Sequence, residues 1–202
     1  MTKLKTKIVG LSGAGTCGKD SCFLIINEFL ASKNINSERV ALADPLKYEL
    51  NEFTKKQYGI SSFTIKKEEK EIIRPLMVCH GKIKRQLTNG KYFTSIAQGK
   101  VDENNRNGAI TFITDIRYSA YSEDELQWLR KNDGVLVFIE RFDSDGQIIP
   151  PANDDEKENN IKLKKSADYQ LKWITTPDLS VRKDCVYTQL SELIHKLEYE
   201  NK

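Results

Sequence analysis

Gly13-Ala14-Gly15-Thr16-Cys17-Gly18-Lys19-Asp20-Ser21 follows directly on the apolar run Ile8-Val9-Gly10-Leu11 and leads into Phe23, Ile25, Ile26, Phe29 and Leu30 at helical spacing. The pattern predicts a strand over Lys7–Ser12, a glycine-rich turn, and a helix over Asp20–Leu30. Residues without a Cβ let a backbone turn its N–H groups inward and approach an anion closely. Lys19 would reach terminal phosphates held there, and the helix that follows points the positive end of its dipole at the same charge. A Gly-x-x-x-x-Gly-Lys match can arise by chance, but here strand, loop and helix come in the order that the chemistry requires. Gly13, Ala14, Gly15, Thr16, Cys17, Gly18 and Lys19 therefore read as a phosphate-binding loop. Asp20 stands where a Ser or Thr ordinarily closes the pattern, with Ser21 one place later.

The 202-residue chain is long enough for one sizeable core, and a single domain is the default. An apolar fraction of 39% beside a charged fraction of 30% describes a soluble globular protein. The net charge of +3 is too small to call for a nucleic acid or a membrane, but suits an anionic small substrate if the basic residues converge on one cleft. Cys17, Cys22, Cys79 and Cys185 show neither Cys-x-x-Cys pairing nor metal-ligand spacing, which fits reduced thiols in a cytoplasm. The apolar N-terminal run is short and continues into the glycine loop, so it reads as a strand and not as a signal peptide. No apolar stretch approaches membrane-spanning length.

Farther along, Arg39–Ala43 predicts a second strand ending at Asp44-Pro45, and Leu46–Tyr58 a helix started by Pro45. The charged run Lys66–Glu71 leads into a helix over Ile72–His80 that Gly81 is expected to cap, with His80 at its end favoured by the dipole. Lys82–Gly108 reads as helix and loop anchored by Tyr92, Phe93 and Ile96. Ala109–Thr114 is a β-rich run stopping at Asp115. Ser122–Lys131 is helical, with Ser122 and Glu125 spaced as a capping box. Gly134–Glu140 is a strand apolar on both faces, as a covered sheet requires. Asn153–Lys165 is polar enough to be a loop or an exposed helix. Tyr169–Trp173 is a last strand, and a helix after Pro177 carries Val186, Leu190, Leu193, Ile194 and Leu197 on one face. Alternating strands and helices predict an α/β fold around a parallel sheet with right-handed crossovers.

Ligands in such folds lie beyond the carboxyl ends of the strands, which is where Thr114-Asp115-Ile116-Arg117 falls beside the loop. An acidic residue there can hold a magnesium ion's waters, and an arginine can clamp phosphate. Asp44 and Arg141 also fall just past strand ends. The alternative for Asp115 is a turn cap, and for Arg117 a surface ion pair.

With these pieces in order, the chain resembles the deoxynucleoside monophosphate kinases of bacteriophages, within the nucleoside-phosphate kinase lineage of P-loop proteins. Ser12-Gly13 through Gly18-Lys19-Asp20-Ser21 is similar to a family loop that often ends Gly-Lys-Asp-Thr. Ala43-Asp44-Pro45-Leu46-Lys47 resembles an Asp/Gly-Pro-Leu-Lys segment, and Arg74-Pro75-Leu76, Gly81 and Arg85 an Arg-x-Leu…Gly…Arg stretch. Thr114-Asp115-Ile116-Arg117-Tyr118 with Glu123 or Glu125 resembles Thr-Asp-Val-Arg-Phe…Glu, and Val137–Arg141 the strand and arginine that follow. The likeness spans about Ile8–Arg141. Beyond it, Asn153-Asp154-Asp155-Glu156 stands in place of His-x-Ser-Glu, and Trp173 in place of an Asn.

The resemblance implies a three-layer α/β/α domain of the nucleoside monophosphate kinase type over residues 1–202, with a helical substrate-binding and lid region at about 45–108. It implies γ-phosphoryl transfer from ATP to a deoxynucleoside monophosphate in the cytoplasm (the host's, if phage-encoded). Lys19 and the loop would cradle the β and γ phosphates, with Arg141 a further contact. Asp20, Ser21 and Asp115 are the candidates for holding magnesium. Lys19, Arg74, Arg85, Asp115 and Arg117 would act in catalysis, and Asp44, Lys47, Arg74, Arg85 and Arg117 at the acceptor. The other readings are a related kinase with a hydroxyl or other small phosphate acceptor, for which Asp44 or Asp115 would be a base, and a nucleotide-binding module without turnover. Small nucleotides are the expected partners, no membrane or nucleic acid is called for, and a homodimer stays open.

Overall fold

A computed structural model of the chain describes residues 7–15, 17–151, 154–174, 184 and 186–193. Thr16 of the loop, Cys185, Ile194 and Leu197 lie outside the described residues. The elements in chain order are β1 (Ile8–Ser12), α1 (Lys19–Ser32), β2 (Ser37–Val40), α2 (Ala43–Tyr58), α3 (Lys67–Leu87), α4 (Lys91–Arg106), β3 (Ile110–Ile113), α5 (Glu125–Lys131), β4 (Val135–Phe142), α6 (Asp154–Ser166) and β5 (Tyr169–Ile174). Residues 186–193 are helical as well. The strands form one sheet in the order β2-β3-β1-β4-β5, every neighbouring pair parallel. The α/β architecture expected from the alternation is the one observed.

Side chains alternate across the sheet and divide the core in two. Val9, Leu11, Val137 and Ile139 face one layer with Cys22, Phe23, Ile26 and Leu30 of α1 and with Val186, Leu190 and Leu193. Ile8, Leu136 and Phe138 face the other, with Phe93, Ala97 and Val101 of α4, Leu126, Trp128 and Leu129 of α5, and Leu163 of α6. Helices on both faces bury the central strands completely and bring every strand's carboxyl end to one edge. Among the described residues, no helix is long and apolar enough to cross a membrane.

Several element boundaries differ from the expected ones, each for a tertiary reason. β2 ends at Val40, and α2 starts at Ala43, before Pro45, because the Asp115 carboxylate accepts the N–H groups of Leu42 and Ala43, both at 2.8 Å. Pro45 then sits in the first turn, where its missing N–H costs nothing. Helix α3 does not stop at Gly81 but continues to Leu87, with Pro75 inside it. Gly81 lies within that helix, where an added Cβ would make only ordinary contact with Leu46 of α2, so it does not cap the helix. His80 is likewise no cap: its Nε2 lies 2.7 Å from Glu49 Oε2, which Lys84 also reaches at 3.3 Å, while the Tyr92 hydroxyl donates to Glu49 Oε1. Burial alone would raise Glu49, but hydrogen bonds from His80, Tyr92 and Lys84 hold it below the ordinary range. The Ser122–Glu125 capping box does not form. Instead α5 starts at Glu125, whose carboxylate turns to the N–H groups of Arg117 and Tyr118 at 2.5 and 3.0 Å. β4 runs on to Phe142, so Arg141 is a strand residue paired in register with Trp173. Asn153–Lys165 resolves in favour of helix over its described part. The region 45–108 is helical throughout its length apart from two connections, comprising α2, α3 and α4.

Candidate functional site: a glycine loop at the carboxyl edge of the sheet

The turn between β1 and α1 needs its glycines. Gly13 has φ +133, and a Cβ on it would lie 2.3 Å from the Ile139 carbonyl oxygen. Gly18 has φ +87, and its Cβ would lie 2.2 Å from the Trp173 ring. Both positions combine a left-handed backbone with a neighbour that cannot yield. Trp173 also donates its Nε1 hydrogen to the Cys17 carbonyl at 3.0 Å, so the last strand braces the loop from beneath. Cys22 N–H bonds to Gly18 O at 2.8 Å and begins α1 immediately after the turn.

Lys19 is 7% exposed and its ammonium donates to the carbonyls of Gly13 at 2.9 Å and Ala14 at 2.8 Å. Burial pulls it below the ordinary lysine range; the Arg117 guanidinium adds to that pull, while Cys17, Glu156 and Asp115 oppose it. These couplings place Lys19, Arg117, Asp115 and Glu156 in one electrostatic neighbourhood. Cys17 is buried, and desolvation raises its thiol, so it is shielded and poorly ionised and not an exposed oxidation site. Beside Gly13, the buried Ser12 Oγ has no hydrogen-bond partner.

An anionic oxygen already sits at the loop. Gly15 N–H donates to Glu156 Oε1 at 2.6 Å, joining the start of α6 to the turn. The Gly15 N–H is thus oriented to receive a negatively charged oxygen.

A second charged cluster lies where the end of β2 and the start of α2 meet α1. Arg39 links two acids that the sequence reading treated separately: its Nε is 2.9 Å from Asp20 Oδ1 and its Nη1 is 3.6 Å from Asp44 Oδ2. Lys47 closes the chain on Asp44 Oδ1 at 2.9 Å. The sequence reading missed Arg39, because nothing near it in the chain signals that β2 ends beside α1. Asp20 is mostly exposed, and Ser21 is exposed on the next position of the helix. Asp115 has both carboxylate oxygens on the N–H groups that start α2. Among the described residues, no group of three His, Cys, Asp or Glu could hold a metal ion.

The arginines separate into two kinds. Arg85 lies in a buried pair with Asp124, Nε to Oδ1 at 3.0 Å and Nη2 to Oδ2 at 2.7 Å, with its guanidinium 3.5 Å from the Tyr118 ring centre. Arg117 is exposed, and among the described residues no carboxylate pairs with its side chain. Arg74 lies midway along α3 and pairs with Glu71 at 3.0 Å, while its Nε is buried without a partner. Arg117 and Arg74 therefore retain donors, whereas Arg85 holds the scaffold. Burial pushes the Glu125 carboxyl up to about 8; its bond from Arg117 N–H works against that, and the charge of Asp115 works with it. Glu125 and Asp124 together fix the loop that carries Arg117.

The fold and this edge define a three-layer α/β protein with a glycine loop shaped for anionic oxygen. No protein-family model matches the chain, and no curated protein matches it. Among solved structures it is similar to one described as dephospho-CoA kinase from Campylobacter jejuni, at 15% identity and a TM-score of 0.49, covering 98% of this chain and 100% of that one.

Proposed function

We propose that the chain transfers the γ-phosphoryl group of ATP to the phosphate of a deoxynucleoside monophosphate. The observation that carries the reading is the loop itself, where two glycines that tolerate no Cβ, the Gly15 N–H and Lys19 meet at the sheet edge that also presents Arg117. Phosphoryl transfer depends on in-line positioning and charge stabilisation more than on covalent help from the protein. The loop N–H groups and Lys19 hold the β and γ oxygens of the donor. Arg117, Arg74 and Lys47 orient the acceptor phosphate and stabilise the transferring charge, and Arg85 positions Tyr118 beside them. Arg141, paired in register with Trp173, would be a further contact to the donor.

The residues present fit magnesium bound chiefly through phosphate oxygens and water, its usual mode. Ser21 and Asp20 would contribute to holding it, with Asp115 acting through water; the ion neutralises phosphate charge when bound. An acceptor that is already ionised needs no base. This agrees with Asp44 and Asp115 being committed to Lys47 and Arg39 and to backbone N–H groups respectively.

The test is ADP release from ATP and magnesium with deoxynucleoside monophosphates, ribonucleoside monophosphates, nucleosides and other small hydroxyl acceptors. Turnover is expected with deoxynucleoside monophosphates. Turnover only with hydroxyl acceptors, or ATP binding with no turnover at all, would overturn the proposal.

The same reading sets a direction for Glu156. Its carboxylate and an incoming phosphate claim the Gly15 N–H, so Glu156→Ala is expected to lower the Kd for ATP by about tenfold, or ~1.4 kcal/mol. That is somewhat below the ~1.5–3 kcal/mol of a charge-assisted hydrogen bond. Titration calorimetry reads it directly, and a Kd that stays the same or rises would show that Glu156 does not compete with the donor.

A further inference from the structure

We propose that Arg39 is a positioning residue for the donor nucleotide, the counter-ion that lets the glycine loop bind phosphate beside Asp20. The role rests on the phosphoryl-transfer reading above and falls to a residue that no motif in the sequence singles out. Asp20 stands in the first turn of α1, where a Ser or Thr ordinarily closes the loop pattern. A carboxylate there sits at the helix end whose partial positive charge the phosphates use, and its own charge repels them. Without a counter-ion, Asp20 would oppose the adjacent Lys19.

Arg39 removes that conflict from 19 positions away in the chain. Its Nε donates to Asp20 Oδ1 at 2.9 Å, and its Nη1 lies 3.6 Å from Asp44 Oδ2. Lys47 holds the other oxygen of Asp44 at 2.9 Å. Two carboxylates thus face two cations, and the cluster is neutral beside the loop. The two acids are not equally supplied. Asp44 has Lys47 as well as Arg39, whereas among the described residues Arg39 is the one cation paired with Asp20. Loss of Arg39 therefore strands a negative charge at Asp20 and leaves Asp44 paired. The Asp20 side chain is 72% exposed, so the pair adds little to stability. Its weight falls instead on a ligand with several negative charges, because each of them feels the uncompensated carboxylate.

Titration calorimetry of the full chain with ATP tests this, magnesium being withheld so that the ion does not itself neutralise Asp20. Arg39→Gln is expected to raise the Kd for ATP by about tenfold at about 0.05 M salt, and by about twofold or less at about 0.5 M, where screening removes the repulsion. Asp20→Asn combined with Arg39→Gln should return the Kd to within about threefold of wild type, because no charge is then stranded. Arg39→Lys keeps the charge and should stay in the same range. Thermal melts of all three variants should match wild type, which separates the effect from a loss of fold. An Arg39→Gln Kd equal to that of wild type at low salt, or a double variant as weak as Arg39→Gln alone, would overturn the role of Arg39. A wild-type chain that bound no ATP would instead overturn the functional reading itself, and this role with it.

Discussion

Lys19→Ala is expected to lower the turnover number by about 10²–10³, the loss typical of removing one preorganised donor from a developing charge. The Lys19 ammonium is held between the Gly13 and Ala14 carbonyls, so it is placed before substrate arrives and needs little reorganisation to reach phosphate. Its proton affinity is already lowered by burial, which leaves the cation weakly solvated and its charge poorly screened. Lys19→Arg should not restore activity, because a planar guanidinium does not fit between those carbonyls and beside Cys17 as the ammonium does. The melting temperature should change little, since the cost of burying the charge roughly offsets the bonds it makes. Steady-state kinetics beside a thermal melt separates the two effects. A variant that kept a tenth or more of wild-type turnover would remove Lys19 from the reaction.

Asp124→Ala is expected to be the most destabilising single change at the site, by about 3–5 kcal/mol. The Asp124 side chain is fully buried. It satisfies Arg85 through two bonds and accepts the N–H groups of Ala120 at 2.9 Å and Tyr121 at 3.0 Å. Its removal leaves a buried guanidinium and two N–H groups without partners. The turn between α3 and α4 is packed against the same residue, for a Cβ at Gly90 would lie 2.8 Å from Asp124. For a chain of this length the loss corresponds to a fall in melting temperature of roughly 6–20 °C. Replacing both partners, Arg85→Met with Asp124→Leu, should recover much of it, because no charge is then stranded. A fall of under about 1 kcal/mol in the single variant would show that water reaches the pair. Activity should drop with stability in Asp124→Ala, since Asp124 and Glu125 hold the segment that presents Arg117 and Tyr118.

The contrast between Lys19 and Asp124 marks how far the chain could be read before it folds. The loop was legible because its parts are neighbours in sequence: strand, glycines, lysine and helix lie within one turn of each other, and backbone sterics at Gly13 and Gly18 are local. Arg117 was legible as a residue just past a strand end. Asp124 was not, because the spacing of Ser122 and Glu125 around it suggested only the capped start of a helix, and its actual partner, Arg85, is 39 residues away. The expected helix end at Gly81 failed for the same kind of reason: local propensity favours a cap there, but packing against α2 carries the helix on to Leu87.

By itself, then, the sequence determined the alternation of strands and helices, the two-sided burial of β4, and a glycine loop with Lys19, all of which follow from periodicity and from what a backbone without a Cβ can do. The tertiary structure alone decided which side chains serve that loop. Strand order β2-β3-β1-β4-β5 brings Glu156 to Gly15 across 141 residues, Trp173 to Cys17 across 156, and Asp115 to Leu42 across 73. Contacts at such separations depend on how crossovers arrange parallel strands, and no local pattern in the chain encodes them.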